Sequence, residues 1–142
     1  IYICGFFYSS NDLAALTYIK KLPVNTRNHH IITTILSLVS VNIDYNNSIL
    51  GKMLICYTIF SSIAFPVNSY LAVRHLYDKE KLIIFKKFTR NIYGLSLIIN
   101  WSYHITTIIY NFKLLSISHY LYFICLFLII KDDIILMKWL CN

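Results

Sequence analysis

The sequence predicts an all-α protein, a polytopic bundle of about four to five membrane-spanning helices that forms one domain over residues 1–142. Hydrophobic residues make up 58% of the chain and charged residues only 13%, about half the share that is usual in globular proteins. A soluble domain of this size has much surface for its volume, and this chain has too few charges to cover it. The same composition excludes disorder, because disordered chains are poor in hydrophobic residues and rich in charge.

Long apolar runs are the observation that sets the number of spans. A spanning helix needs about 20 mostly apolar residues. Runs 53–71, 92–111 and 114–130 meet or approach this length, run 31–43 is short by itself, and residues 1–8 resemble the end of an earlier span. Because the chain opens inside an apolar run, we expect a fragment of a longer domain, truncated at both ends.

The positive charges fall between the apolar runs and give the predicted orientation. The net charge is +7. If successive connections alternate sides, segments 9–30, 72–91 and 131–142 share one side with eleven Lys and Arg residues, against Lys52 and Lys113 on the other. The positive-inside rule makes the richer side cytoplasmic. We therefore expect a multi-pass protein of an endomembrane or the plasma membrane, surrounded by lipids, with no nucleic-acid partner.

Polar side chains recur inside the predicted spans at helical spacing. Spacings of 4, 3 and 4 place each of two sets on one helix face: Asn100, His104, Thr107 and Asn111, and Thr33, Ser37, Ser40 and Asp44. For Ser37 and Ser40 we favour a structural explanation, in which they hydrogen-bond between packed helices. An ionisable side chain inside a span is by default a candidate functional residue, which singles out His104.

Pro66 lies in the middle of run 53–71. A proline inside a helix removes one backbone hydrogen bond and clashes with the preceding turn, so we predict a kink over residues 62–66. Ser61 or Ser62 is placed to bond the freed carbonyl.

Standard catalytic motifs are absent from the sequence: it contains no G-x-S-x-G, H-E-x-x-H or P-loop pattern. Carboxylates are almost absent from the predicted spans, which argues against a metal site held by paired carboxylates. We therefore predict neither a metal nor a cofactor.

Three motifs, in this order, resemble those of the androgen-induced protein family, which includes the androgen-dependent regulator of tissue factor pathway inhibitor. They are Ala64-Phe65-Pro66-Val67, Tyr77-Asp78-Lys79-Glu80 and Asn100-x-x-x-His104-x-Thr106, and His30-Ile31-Ile32-Thr33 upstream is similar to the family's K-[FY]-L-T run. The resemblance covers residues 29–111. The chain departs from the family at Trp101, where the family has His, and at Ile105, which separates His104 from Thr106.

The resemblance implies a multi-span hydrolase that cleaves fatty acid esters of hydroxy fatty acids with a Thr and a His. Carried onto this chain, it makes Thr33 the nucleophile and His104 its general base. Asn100, one turn from His104, is our own candidate to orient the imidazole or bind the substrate carbonyl, and Thr34 is the alternative nucleophile. The lipid ester would enter sideways from the bilayer.

The competing hypothesis is a non-catalytic membrane protein, either a degenerate relative of that family or an unrelated subunit or receptor fragment. A hydrogen bond between the Thr33 hydroxyl and His104, direct or through one water, would favour the enzyme. Side chains on opposite faces of the bundle would favour the non-catalytic protein.

Overall fold

A computed structural model describes residues 2–142, with the side chains of all of these except residues 2, 4, 5, 8 and 79. Ile1, part of the predicted end of an earlier span, lies outside that range. The predicted all-α class is confirmed for the described chain. Its elements are α1 (Tyr2–Tyr18), α2 (Val24–Ser40), α3 (Ile49–Ile63), α4 (Pro66–Val73), α5 (Lys79–Asn111), a 3₁₀ turn (Phe112–Leu114) and α6 (Ile117–Cys141).

The first two helices form an antiparallel hairpin. Residues 19–23 reverse the chain, and Pro23 directly precedes α2, where its missing N–H breaks no helical hydrogen bond. Ser37 pairs with Ser9, and His30, nearer the turn, pairs with Asp12. The hairpin thus places Asp12 beside α2, although its segment was predicted to be a connection outside the membrane.

Asp44 was predicted to share one helix face with Thr33, Ser37 and Ser40. This prediction is wrong for Asp44, because α2 ends at Ser40 and Asp44 lies in the following loop. The Asp44 carboxylate accepts hydrogen bonds from the Asn47 amide at 2.9 Å and from the backbone N–H of Asn46 at 2.9 Å. These bonds lower the pKa of Asp44. A short carboxylate side chain competes in this way with helical hydrogen bonding and so favours a turn.

The start of α3 packs closely on that loop. The Ser48 hydroxyl accepts a hydrogen bond from the Gly51 N–H at 2.7 Å and so caps the helix. A Cβ atom on Gly51 would lie 2.5 Å from the Asp44 carbonyl oxygen and 2.7 Å from the Tyr45 Cα. Only glycine allows this approach of the two backbones.

The predicted kink at Pro66 is confirmed as a break between α3, which ends at Ile63, and α4, which begins at Pro66. The Ser62 carbonyl, which cannot pair with Pro66, accepts a hydrogen bond from the Phe65 N–H at 3.1 Å. The Ser62 hydroxyl donates to the Thr58 carbonyl at 2.8 Å. The backbone thus satisfies the freed carbonyl, and the role predicted for the Ser62 hydroxyl is wrong.

Among the described residues, one helical stretch is long and apolar enough to cross a membrane by length and composition. It is Ile49–Val73, which joins α3 and α4 and has a mean hydropathy of 1.5. Run 92–111 forms the second part of α5, and run 114–130 overlaps the first part of α6. The helices α5 and α6 extend beyond the apolar runs that predicted them. Helical hydrogen bonding continues through charged residues, so the charged segments that flank these runs belong to the same helices.

Two apolar clusters hold the helices together. The first joins α3 to α6 through Met53, Leu54, Tyr57, Tyr122, Leu126 and Ile129. The second joins α4, α5 and α6 through Val67, Tyr70, Tyr93 and Leu140. Both clusters border the polar groups described next.

The long helix α5 turns a polar face inward and an apolar face outward. Its buried positions recur at helical spacing and are Thr89, Tyr93, Ser96, Asn100 and His104. Its exposed apolar positions include Leu95, Ile98, Ile105 and Ile109. This is the reverse of the pattern in a soluble bundle, where the apolar stripe faces the core.

Candidate functional site

Thr33 is buried, with 4% of its surface exposed, in the middle of the α1–α2 hairpin. Its hydroxyl donates to Oδ2 of Asp12 in a short hydrogen bond. The carbonyl oxygens of His29 and His30 each lie 3.1 Å from the same hydroxyl. Because a hydroxyl has one proton, these carbonyls are alternative acceptors, and the carboxylate is the stronger of them.

Asp12 joins Thr33 to an imidazole. Its Oδ1 accepts a hydrogen bond from Nδ1 of His30 at 2.7 Å, while its Oδ2 holds the Thr33 hydroxyl. The carboxylate is 6% exposed, and a buried carboxylate requires such donors to replace its water shell. We refer to Asp12, His30 and Thr33 as the Thr33 cluster.

A second imidazole–carboxylate contact lies between α2 and α6. Nδ1 of His29 is 3.3 Å from Oδ2 of Asp132, without hydrogen-bond geometry. The Thr26 hydroxyl donates to the other oxygen of Asp132 at 3.2 Å. Burial lowers the pKa of His29 and outweighs the raising effects of Asp132 and Asp12, so the neutral imidazole is favoured.

Asp133 is the neighbouring buried carboxylate on α6. The Tyr93 hydroxyl of α5 donates to its Oδ1 at 2.8 Å. Burial is the main influence and raises the pKa of Asp133 to about 7, with a further raising effect from Asp132 and a lowering effect from the Tyr93 hydrogen bond. This carboxyl group therefore changes its protonation near neutral pH.

These groups line a polar cavity of about 390 Å³. Asp12, His29, His30, Asp132 and Asp133 face it, and further side chains of α3, α4, α5 and α6 complete its wall. An apolar cavity of about 560 Å³ lies between α1, α2 and α3, and Thr33 is part of its lining. Both volumes fall in the range of about 300–1,000 Å³ that is typical of ligand pockets.

The Thr33 cluster borders both cavities. Asp12 and His30 line the polar cavity, and Thr33 lines the apolar one. The Thr33 hydroxyl and the Asp12 carboxylate thus lie where an apolar chain on one side could meet a polar group on the other. Such an arrangement suits a nucleophilic hydroxyl with an adjacent base.

His104 is 1% exposed and lies among α3, α5 and α6. Its Nδ1 donates to the Asn100 carbonyl at 2.8 Å, and its Nε2 accepts from the Tyr122 hydroxyl at 2.9 Å. Because the Asn100 carbonyl can only accept, Nδ1 carries the proton, and Nε2 uses its lone pair on Tyr122. We refer to Asn100, His104 and Tyr122 as the His104 cluster.

The predicted hydrogen bond between Thr33 and His104 is not formed in the described structure. Both ring nitrogens of His104 have other partners, and the Thr33 hydroxyl is directed at Asp12. His104 also lines neither of the two cavities. The catalytic role of His104 stays a prediction, and its geometry in this structure is that of a satisfied core group.

Asn100 touches His104, but through its backbone carbonyl rather than its side chain. Its side-chain Oδ1 lies 3.8 Å from Sγ of Cys56, and the residue lines the polar cavity. The predicted substrate-binding role is therefore geometrically open to Asn100. The alternative nucleophile Thr34 donates to the His30 carbonyl at 2.7 Å.

Four polar residues of the site were missed by sequence reasoning: Asp12, His30, Asp132 and Asp133. Asp12 and His30 lie in a segment predicted to be a connection, and the two aspartates follow directly on an apolar run. The signal that could have found Asp132 and Asp133 is a carboxylate pair between two apolar runs, as in Ile129-Ile130-Lys131-Asp132-Asp133-Ile134-Ile135. A carboxylate in such a setting is expected to be buried against a partner.

Comparisons with protein-family models, with curated proteins and with solved structures found no match to this chain.

Proposed function

We propose that this chain is a multi-pass membrane protein that hydrolyses fatty acid esters of hydroxy fatty acids, with Thr33 as the nucleophile. The observation that carries the proposal is the Thr33 cluster, in which a buried hydroxyl donates to a carboxylate at the boundary of a polar and an apolar cavity. The family resemblance points to the same threonine. The base we propose is Asp12, and His30 is its positioning residue.

The distribution of apolar side chains supports a membrane environment. The outward faces of α2, α5 and α6 expose large apolar residues, while Asn100, His104, Asp132 and Asp133 are buried. In the one stretch with the length and composition of a span, only 28% of the apolar window is buried. A core helix of a soluble protein would be mostly buried, so lipid is the environment that suits these faces.

Contacts at one end of the bundle support the predicted topology. His29 meets Asp132, and both Arg74 and Lys86 lie against Trp139. These contacts bring the segments 9–30, 72–91 and 131–142 to the same end, as the positive-inside rule requires.

The topology is tested by labelling introduced cysteines at Asn25 and Lys86 in a chain whose own cysteines are replaced. Impermeant reagent should label both positions from the cytoplasmic side. Lys113→Cys, on the predicted opposite side, is the matched control and should be labelled only from that side. Labelling of Asn25→Cys and Lys86→Cys from opposite sides would refute the multi-pass arrangement.

The proposed reaction proceeds through an acyl-threonine. Oγ1 of Thr33 attacks the ester carbonyl carbon as its proton passes to Asp12. The carbon–oxygen bond to the hydroxy acid breaks, and the proton moves from Asp12 to the departing oxygen. Water then attacks the acyl group with loss of a proton to Asp12, the fatty acid leaves, and Thr33 recovers its proton. His30 keeps Asp12 oriented throughout by its hydrogen bond.

The two cavities suit an ester with one long apolar part and one more polar part. The acyl chain would occupy the apolar cavity, whose wall includes Leu36, Leu54 and Tyr57. The hydroxy acid would occupy the polar cavity, where the Asn100 side chain offers a hydrogen-bond donor.

The test is hydrolysis of such an ester by the full chain purified in neutral detergent, together with labelling by a fluorophosphonate probe. Thr33→Ala should abolish both, and Asp12→Asn should lower kcat by about 10²- to 10⁴-fold, the usual contribution of a general base. Thr58→Ala is the matched control, because its hydroxyl lines the same cavity but donates only to the Leu54 carbonyl. It should retain full activity.

His104→Gln separates the two candidate bases. If Asp12 is the base, His104→Gln retains most activity and Asp12→Asn does not. The opposite result would return the role of base to His104. Loss of activity in Thr34→Ala but not in Thr33→Ala would transfer the nucleophile to Thr34.

A non-catalytic protein is the second candidate, favoured by the absence of a direct Thr33–His104 hydrogen bond and by the full hydrogen bonding of Thr33. Its hydroxyl has a carboxylate and two carbonyls as acceptors, as a purely structural threonine would. In that case wild-type protein hydrolyses no lipid ester, while Thr33→Ala still lowers the unfolding temperature by separating α1 from α2.

A further inference from the structure

Two basic side chains converge on one indole ring at the end of the bundle predicted to be cytoplasmic. Cζ of Arg74 lies 4.9 Å from the Trp139 ring centroid, and Nζ of Lys86 lies 5.7 Å from it. Three separate elements supply these residues: the end of α4, α5 and α6. The tertiary fold, rather than chain proximity, therefore brings them together.

Neither cation has a carboxylate partner in the described part of the chain. The ion pairs found there are His29–Asp132, His30–Asp12 and Lys81–Asp78. The Nε of Arg74 donates to Nε2 of His75, which is not a carboxylate. Two like charges held near one ring repel each other, and the attraction of the indole face offsets only part of that repulsion.

The surroundings of Arg74 and Lys86 favour contact with an anionic membrane surface. Lys87, Arg90 and Lys138 add positive charge in the same two segments. Trp139 is 37% exposed, and its ring packs on Tyr70 at a centroid distance of 5.9 Å. A half-exposed indole beside basic residues is typical of the headgroup layer of a membrane, where the ring meets both water and lipid.

We infer that Arg74, Lys86 and Trp139 form a binding site for the phosphate of an anionic phospholipid. The phosphate would lie between the guanidinium and the ammonium group and neutralise the unpaired charges, while the indole contacts the glycerol region. The charge complementarity identifies an acidic lipid rather than a zwitterionic one. None of the three residues belongs to the Thr33 cluster: Arg74 and Trp139 line the polar cavity, and Lys86 lines neither cavity.

The experiment uses the emission of Trp139 in the full chain. The chain contains two tryptophans, so Trp101→Phe leaves Trp139 as the only reporter. Mixed micelles of neutral detergent then receive phosphatidylserine or phosphatidylcholine with brominated acyl chains, which quench a nearby indole. Brominated phosphatidylserine should reach half-quenching at a lower mole fraction than brominated phosphatidylcholine, with about a fivefold advantage for each basic residue that contacts it.

Variants identify the source of the preference. In the double variant Arg74→Gln with Lys86→Gln, the two brominated lipids should quench Trp139 equally. In the charge-retaining double variant Arg74→Lys with Lys86→Arg, the preference for phosphatidylserine should remain. Lys52→Gln with Lys113→Gln is the matched control, because it removes the same charge from the predicted opposite side. It should behave as the parent chain does.

Three outcomes would overturn the inference. They are equal quenching by both lipids in the parent chain, an unchanged preference in Arg74→Gln with Lys86→Gln, and an equal loss of preference in the Lys52 and Lys113 control. Full competition by excess inorganic phosphate would identify a free-phosphate site and would overturn the lipid as its occupant. Hydrolysis by Thr33 can fail or succeed independently of every one of these results.

Discussion

The Thr33 cluster and the His104 cluster are both buried, and both lie on helix faces that residue spacing identifies, yet their partners differ in kind. Thr33 meets a carboxylate and, through it, an imidazole, at the wall of two cavities. His104 meets a backbone carbonyl and a phenol and borders neither cavity. A buried ionisable group is thus a stronger candidate for chemistry when its partner is charged and a cavity adjoins it.

Removal of Asp12 should produce the largest difference between the clusters. In Asp12→Ala, His30 and the Thr33 hydroxyl both lose their acceptor, and each buried donor left without a partner costs about 1–3 kcal/mol of unfolding free energy. Equilibrium unfolding of detergent-solubilised protein measures this. Asp78→Ala is the control, since Asp78 is exposed and forms an ion pair with the exposed Lys81; its effect should be far smaller. An Asp12→Ala protein as stable as wild type would show that the cluster does not hold α1 to α2.

The free energy of unfolding should depend on pH because the pKa of Asp133 differs between the folded and the unfolded chain. The pKa of Asp133 is about 7 in the folded chain, against 3.8 for an unperturbed aspartate. Between these values the folded state holds a proton that the unfolded chain has released, so stability falls as pH rises through this window and is constant above it. The expected fall is a few kcal/mol.

Asp133→Asn should remove this fall, and the difference between the two proteins isolates Asp133. Asp132, Tyr93 and His29 remain in both proteins. His29, whose pKa is lowered, acts in the opposite direction: it reduces stability as the pH drops below its ordinary value of 6.5. Unfolding free energies measured from pH 4.5 to 8 test the prediction. Identical slopes for wild type and Asp133→Asn would contradict it.

Loss of one hydroxyl should have the smallest effect. Tyr122→Phe leaves Nε2 of His104 without a partner, and an unsatisfied buried polar group costs about 1–3 kcal/mol. Tyr110→Phe makes the same chemical change on a side chain that is 87% exposed, so its unfolding free energy should match that of wild type. If Tyr122→Phe were also neutral, the His104 cluster would not be the satisfied structural group that its geometry indicates.

Local patterns in the sequence predicted much of the framework. The 4, 3, 4 spacing correctly indicated that Asn100 and His104 share a buried face, and Pro66 correctly indicated the break after α3. These features depend on residues within a few turns of each other. The helical class follows from the same local information.

The partners of the site could not be predicted in the same way. Asp12 meets Thr33 across 21 residues, and His29 meets Asp132 across about a hundred, so these pairs depend on how the helices pack. Spacing shows which face of a helix is polar, but not which helix lies opposite. Asp44 shows a further limit, since its side chain bonds to the loop backbone in place of extending the α2 stripe.

The inward polar face of α5 bears on how the protein would be made in a membrane. Synthesis runs from the N-terminus, so α3 is complete when α5 emerges, but α6 is not. Until α6 follows, Nε2 of His104 and the Tyr93 hydroxyl have no Tyr122 and no Asp133 to pair with. Polar groups in hydrocarbon are costly, and in the proposed bilayer only α3 and α4 would be present to hold these groups away from lipid. A nascent chain that ends before α6 would therefore be a natural substrate for membrane quality control, and α6 would act as the element that completes assembly.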